Sequence, residues 1–330
     1  MDDPLNSPVR KIGVLTSGGD SPGMNACIRA IFRAGQYLNK EIYGIRKGYS
    51  GLINNEIFRM QRNDVANIIH LGGTVLGTSR SPEFMNAIGR EKAAGNLRAA
   101  GIDSLIVIGG DGTFMGGSIF AEETGFQVVG VPGTIDNNVP GTDFSIGFDT
   151  AINVALDSID RIRDTAMSHG RLFFVEVMGH TSGFIAIESG IAGGADYLIG
   201  YEDDSEIKAL CTRLTQAFNA GRQYAIVVVT EGDSPGCSFR IAERVTSRIN
   251  IESRVCILGH TQRGGSPTAR DRVLAGKLGV SAVLALCEGM SGVMVGEGDR
   301  DIVYVPLSDV MKGKKELDPR LTTLAHILSG

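Results

Sequence analysis

The chain is poor in cysteine, and what it has is not arranged for bridging or for metal. Cys27, Cys211, Cys237, Cys256 and Cys287 are odd in number and widely scattered, with no C-x-x-C or Cys/His spacing that would suggest zinc. Each reads as a small buried hydrophobe in a reducing compartment. No apolar run approaches the length needed to span a bilayer. The opening Met1-Asp2-Asp3-Pro4 lacks the charged and apolar regions of a signal peptide, so a cytoplasmic protein without a membrane partner is predicted. An excess of positive charge is also missing. The net charge is −5, which argues against nucleic acid as a partner and leaves any anionic ligand to be held by local arginines. No linker or low-complexity tract interrupts the pattern.

What is present is glycine, 45 residues in a chain of 330, without a collagen-like period and clustered where apolar strands give way to helices. With 42% hydrophobic and 21% charged residues, this predicts an α/β protein large enough for two domains. The stretch Leu105 to Gly117 shows the logic. Four apolar residues, Leu105 to Ile108, read as a buried parallel strand. Gly109-Gly110-Asp111-Gly112 breaks it, and Phe114, Ile119 and Phe120 resume as a helix. A glycine loop feeding a helix N-terminus offers backbone N–H groups and the positive end of the helix dipole to a phosphate. A carboxylate beside a phosphate is repulsive without a cation, and Mg²⁺ is the simplest candidate for Asp111. The same spacing also suits a plain strand-to-helix turn in which Asp111 or Thr113 is the N-cap.

The unit is repeated. Ile12 to Thr16 reads as a strand, Ser17 to Gly23 as a second Gly-Gly-Asp loop, and Met24 to Tyr37 as a helix with Ala26, Ile28, Ala30, Ile31 and Ala34 on its apolar side. In a doubly wound sheet both loops open on the ligand-binding edge. Gly48-Tyr49-Ser50-Gly51 reads as a turn whose tyrosine either flanks a nucleotide base or ribose or packs on its own turn. Arg80 sits in a glycine-rich polar loop with room to reach a phosphate. Pro132 to Asn138 follows a strand over Gln127 to Val131 and should lie beside the Gly109–Thr113 loop. It reads as an Asx-rich turn or, beside a phosphate loop, as a place for a base. The second half alternates strand and helix in the same way, with Met178 to Gly183, Glu231 and Gly259 to Pro267 at strand ends.

Taken in order, Lys11-Ile-Gly-Val-Leu-Thr-Ser-Gly-Gly-Asp-Ser-Pro-Gly-Met-Asn25, Gly109-Gly-Asp-Gly-Thr113, Pro132-Gly-Thr-Ile-Asp-Asn137, Val175-Glu-Val-Met-Gly179 and Leu258-Gly-His-Thr-Gln-Arg-Gly-Gly-Ser-Pro267 resemble the bacterial-type, ATP-dependent 6-phosphofructokinase family over nearly the whole chain. The resemblance implies two Rossmann-like lobes, each a mostly parallel sheet sandwiched by helices. Residues 1–147 with 262–312 would form a larger ATP-binding lobe, and 148–261 with 313–330 a smaller sugar-phosphate lobe. It implies Mg²⁺- and ATP-dependent phosphorylation of fructose 6-phosphate to the 1,6-bisphosphate. By the same resemblance Gly19, Tyr49, Arg80, Ser81 and Gly110, Asp111, Gly112 and Thr113 face ATP, and Asp111 holds the metal. Asp136 is the base, with Thr134, Arg80 and Gly19 at the transferring phosphoryl group. Thr134, Ile135, Asp136, Met178, Gly179, His180 and Glu231 meet the sugar, and Arg171, Arg254, His260 and Arg263 clamp its 6-phosphate. Arg171 and Arg254 reach a neighbouring subunit's site, which implies a homotetramer.

Relatives that use pyrophosphate carry aspartate and lysine at the positions of Gly112 and Gly133, so ATP is the implied donor. Three positions depart from the family pattern. Asn138 stands in place of a second aspartate, His180 in place of an arginine, and Leu71 where arginine is common. These leave a weakly active or silent regulatory paralogue as an alternative, with a pyrophosphate-dependent enzyme as a further one. Arg29, Arg33, Arg62, Arg163, Arg222 and Asp196 match an effector pocket for ADP or phosphoenolpyruvate, although Ala220 and Asn67 depart from it.

Overall fold

The computed structural model describes residue 5, residues 7–200 and residues 203–329, so most of the polar leader lies outside it. The chain order is β1 (Lys11–Thr16), α1 (Met24–Tyr37), β2 (Glu41–Ile45), α2 (Gly48–Ile53), β3 (Ile57–Arg59), α3 (Ala87–Ala100), β4 (Ser104–Gly109), α4 (Asp111–Thr124) and β5 (Gln127–Pro132). There follow α5 (Phe148–His169), β6 (Leu172–Val177), α6 (Phe184–Ala192), β7 (Tyr197–Ile199), α7 (Asp204–Asn219), β8 (Ala225–Thr230), α8 (Cys237–Ile249) and β9 (Ser253–Ile257). The chain closes with α9 (Ala269–Cys287), β10 (Val293–Gly298), β11 (Asp301–Pro306), α10 (Leu307–Lys312) and α11 (Pro319–Leu328). It divides into two compact units, one of residues 1–135, 139–150 and 263–315, the other of residues 136–138, 151–262 and 316–330.

The first unit carries a seven-stranded sheet in the order β11-β10-β5-β4-β1-β2-β3, parallel except for β11 and β3 at its edges. Strand alternation explains why both faces need cover. Ile106 and Ile108 join Ile12, Val14, Val129 and Val131 in the core under α1 and α9, while Leu105 and Val107 join Leu15 and Val128 in the core under α2, α3 and α4. All five positions assigned to the apolar side of α1 are buried. α1 and α9 approach closely enough that a Cβ on Gly279 would lie 3.0 Å from both the Ala30 Cβ and the Cys27 carbonyl oxygen. Residues 48–51, predicted to turn, instead begin a short helix, entered through Lys47 at φ 55°. A glycine-bordered tyrosine carries no helical signal of its own. The helix is held by burial of Tyr49, Leu52 and Ile53.

The second unit carries an all-parallel sheet in the order β7-β8-β6-β9. Its core joins Leu172, Phe174, Val227 and Val229 to Ile207, Leu210 and Leu214 of α7 and to Ile241 and Val245 of α8. The five cysteines are free, four of them buried. Among the described residues, no helix is long and apolar enough to cross a membrane.

A buried carboxylate secures the start of α5. Asp271, 1% exposed in the first turn of α9, accepts the Gly147 N–H at 2.8 Å, the Thr150 N–H at 2.8 Å and the Thr150 hydroxyl at 2.5 Å. Burial pushes its carboxyl above the ordinary range, against the opposing pull of these donors. Asp271→Ala leaves buried donors without an acceptor and is expected to lower the unfolding free energy by about 3 kcal/mol, read by urea titration.

Candidate active site

In the first unit the chain runs from β1 to β2 on one side and places β4 on the other, so the crevice at the carboxyl ends of β1 and β4 is a topological switch point. The two glycine loops meet there. Ser17 N–H donates to the Ile108 carbonyl at 3.0 Å, and the Thr113 hydroxyl donates to the Ser17 carbonyl at 3.0 Å. A Cβ on Gly109 would stand 2.5 Å from that Ser17 oxygen, so this approach requires glycine. The N-cap of α4 is Gly110 and supplies no side chain, while Asp111 and Gly112 at the helix start are exposed. Neither capping alternative is realised. Asp111 lies inside the first turn, and Thr113 spends its hydroxyl on the neighbouring loop.

Tyr49 supports this loop from beneath. It is 4% exposed, stacks on Phe84 with ring centroids 3.9 Å apart, and donates its hydroxyl to the Thr113 carbonyl at 2.6 Å. Burial pushes the phenol pKa up. The structure therefore makes Tyr49 a brace for the loop.

The loop bearing Arg80 is tied over the end of β1. The Thr16 hydroxyl donates to the Gly77 carbonyl at 2.9 Å, Thr78 to the Gly18 carbonyl at 2.7 Å and Ser79 to the Lys47 carbonyl at 2.9 Å. Arg80 is exposed at its rim and Ser81 half-buried. Asn25, buried in the first turn of α1, clamps the same loop. Its amide donates to the carbonyls of Leu71 and Gly72 at 3.1 and 3.0 Å and accepts the Val75 N–H at 2.7 Å. Arg263 also belongs here. Its guanidinium donates to the Asp20 carbonyl at 3.1 Å and covers Gly19, where a Cβ would lie 2.6 Å from it. The loop after β9 thus carries Arg263 onto the first glycine loop.

β5 pairs with β4 in register Gly109↔Pro132, so the loop after it leaves the same edge. A Cβ on Gly110 would sit 3.7 Å from that of Thr134, whose carbonyl accepts the Ser145 hydroxyl at 2.7 Å. Ile135 is fully buried and can offer a ligand only its backbone. Asn137 holds φ 49° in the left-handed region, which asparagine tolerates.

In the second unit Asp136 lies with the loop after β6, its carbonyl accepting the Ser182 hydroxyl at 3.0 Å. That loop carries Gly179 at φ 122° and His180 at φ 51°, the latter a strained conformation for a histidine. The His180 N–H donates to Glu231 at 3.2 Å, and the Met178 N–H to the buried Gln262 amide oxygen at 2.8 Å. Met178 itself is 7% exposed, so its side chain is core, whereas His180 and His260 are exposed. These groups share the carboxyl ends of β6, β8 and β9. Arg171 and Arg254 sit at the opposite, amino ends of β6 and β9, both paired to Glu252, at 3.8 and 2.5 Å. Within one chain the structure therefore separates them from Glu231 and His260.

Of the effector candidates, Arg29 and Arg33 lie on α1 and Arg62 in a single 3-10 turn nearby, all in the first unit. In the second unit Arg222 pairs with Asp196, and Arg163 donates to the Gly193 and Gly194 carbonyls. Asn25, Gln262, Glu176 and Asp271 hold these loops although no role was read for them in the sequence. The available signal was a polar residue in an otherwise buried stretch.

Residues 11–286 match the phosphofructokinase family. The chain is 50% identical over 321 residues to the ATP-dependent 6-phosphofructokinase 1 of Thermus thermophilus and 47% identical to the ATP-dependent 6-phosphofructokinase of Bacillus subtilis, covering 97% of this chain and 100% of each relative. It also resembles the solved phosphofructokinase of Saccharomyces cerevisiae, with TM-score 0.86, 34% identity and coverage of 97% of this chain. It spans only about half (47%) of the yeast chain.

Tyr49→Phe removes the buried bond to the Thr113 carbonyl while keeping the stacked ring. The expected loss is about 1 kcal/mol of stability, measured by denaturant unfolding.

Proposed function

The chain belongs to the phosphofructokinase family, and from that premise we propose that it is an ATP-dependent 6-phosphofructokinase, transferring the γ-phosphoryl group of ATP to the 1-hydroxyl of fructose 6-phosphate. The observation that carries this reading is the junction of two glycine loops at the switch point, with an uncapped helix start beside them. Phosphoryl transfer depends on charge neutralisation and alignment more than on covalent help. In this reading the phosphates of ATP lie along Gly19 and Gly110–Thr113, with Arg80 and Ser81 at the rim. Arg80 and Thr134 steady the group in transfer, and Asp136 accepts the hydroxyl proton as the oxygen attacks. Glu231, Gly179 and His180 position the sugar, while His260 and Arg263 meet its 6-phosphate. Arg171 and Arg254 of one subunit complete the 6-phosphate clamp of another in a homotetramer, which suits their place at the far ends of β6 and β9. Arginine suits this task because its planar fork donates in pairs and keeps its charge. The clusters of Arg29, Arg33 and Arg62 and of Arg163, Asp196 and Arg222 are assigned to an ADP or phosphoenolpyruvate effector, and the enzyme to the cytoplasm. The first structural unit would be the nucleotide lobe and the second the sugar-phosphate lobe.

Mg²⁺ fits Asp111. The carboxylate is an exposed hard-oxygen donor at a helix start, and the described residues contain no cluster of three or more His, Cys, Asp or Glu side chains that would cage a metal. That is the donor set of an ion that keeps waters and phosphate oxygens as its remaining ligands. Bound there, Mg²⁺ supplies neutralisation of phosphate charge.

ATP is favoured as donor because Gly112 faces open space, whereas a Cβ on Gly133 would lie 2.9 Å from Ile108. Gly112→Asp therefore folds normally, and its carboxylate repels the nucleotide. The expectation is a drop of at least about tenfold in kcat/KM for ATP, measured by steady-state kinetics.

The test is a coupled assay of the purified chain with ATP, Mg²⁺ and fructose 6-phosphate, repeated with pyrophosphate as donor. Turnover with ATP supports the assignment. Turnover with pyrophosphate alone, or nucleotide binding without turnover, overturns it in favour of the corresponding relative. Asp136→Asn is expected to lower kcat about 10²–10⁴-fold with the KM for ATP unchanged. Near-normal turnover in that variant would remove the base assignment.

A further inference from the structure

β6 reads Leu172-Phe-Phe-Val-Glu-Val177, and its alternation carries a consequence beyond packing. Leu172 and Phe174 point into the core shared with Cys237, Ile241 and Val245 of α8. Two residues further on the same face comes Glu176, 1% exposed. An ionisable side chain in that position is costly unless donors surround it.

The donors all come from the start of α8. The N-cap of that helix is Gly236, held at φ 96°, with no side chain to satisfy the first turn. Glu176 takes over the capping from a different strand. Its Oε1 accepts the Gly236 N–H at 2.7 Å, and its Oε2 accepts the Ser238 N–H at 3.0 Å and the Ser238 hydroxyl at 2.5 Å. The Cys237 thiol lies 3.7 Å from the same oxygen and donates to the Thr230 carbonyl at 3.2 Å.

The segment so anchored begins at Glu231, the residue after β8. The Glu231 N–H donates to the Val177 carbonyl at 3.0 Å, and its carboxylate accepts the His180 N–H at 3.2 Å. The Glu176 carbonyl in turn accepts the Leu258 N–H at 3.0 Å, at the start of the loop that carries His260. Glu176 thus bonds directly to the segments after β8 and β9, and the segment after β8 bonds in turn to the loop after β6 through Glu231.

We infer that Glu176 is a positioning residue for sugar-phosphate recognition: by capping α8 it fixes the loop of residues 231–238, and through Glu231 it holds residues 178–183 in the strained form that presents Gly179 and His180. This rests on the reading of Glu231 and the 178–183 loop as the sugar-binding side of a phosphofructokinase. Glu176 touches no reacting group. Its loss acts on the fructose 6-phosphate side alone, because the glycine loops assigned to ATP belong to the other structural unit.

The experiment compares wild type, Glu176→Gln and Ser238→Ala by steady-state kinetics for both substrates and by amide hydrogen exchange. The glutamine variant keeps the shape but turns an NH₂ group toward N–H donors. Its KM for fructose 6-phosphate is expected to rise about tenfold or more, with kcat within about threefold and the KM for ATP within about twofold. Exchange should quicken at residues 178–183 and 231–238 and not in the sheet of the first unit. Ser238→Ala, which removes one donor, should move the same parameter about two- to fivefold, and it decides the matter if the glutamine variant does not fold. A folded Glu176→Gln with unchanged sugar-phosphate KM, or with both substrates affected equally, overturns the inference. If wild type does not phosphorylate fructose 6-phosphate, the functional reading has failed. The exchange pattern then still decides whether Glu176 holds these loops, with unchanged protection ruling against it.

Discussion

The first unit depends on one seam, the contact between the chain leaving β1 and the chain leaving β4. Parallel strands end with carbonyls and N–H groups that the sheet no longer pairs, and here the two ends pair with each other. The Ser17 N–H takes the last carbonyl but one of β4, and Thr113 returns a hydroxyl to the Ser17 carbonyl. That reciprocity brings the loops so close that Gly109 has no room for a side chain. It also aims the start of α4 at the same point as the Ser17–Gly23 loop. The glycine content is therefore a steric condition of the seam, and it leaves the start of α4 exposed beside it.

The second unit solves the same problem with buried acceptors. Its three strand ends after β6, β8 and β9 carry Met178–Gly183, Glu231 and Gly259–Gln262. Glu176, Glu231 and Gln262 each accept backbone N–H groups from a neighbouring loop. An acceptor shielded from water and bonded to backbone donors is rigid as well as polar, since losing such a partner leaves a costly unpaired group. The result is a loop cluster in which His180 is held at a positive φ by its surroundings.

Supporting residues do much of the positioning. Tyr49 lies under the Thr113 carbonyl, Asn25 grips residues 71–75, and Asp271 gathers the N–H groups at the start of α5. Each is buried, and each bonds to backbone atoms, Asp271 also to the Thr150 hydroxyl. The side chains of Asp111, Arg80, His180 and His260 are exposed on loops whose shape these buried residues help to decide.

The alternation of strands and helices, the two glycine loops and the family resemblance were legible from local pattern, because apolar runs of four to six residues followed by glycine have few structural solutions in water. The buried faces of α1 and of β4 could be read in the same way. The helix at Gly48–Ile53 could not, since its signal is burial and not propensity. Nor could the position of Arg263. A guanidinium on a long stem has a reach of several ångströms, and only the path of the chain after β9 sends it to Gly19. The strand ends on which Arg171 and Arg254 sit, opposite to Glu231, follow from sheet register. The linear chain by itself determined which chemistry is available, because residue types and their spacing carry it. Tertiary structure alone decided which groups share an edge, because that depends on strand order and on contacts between residues far apart in the chain.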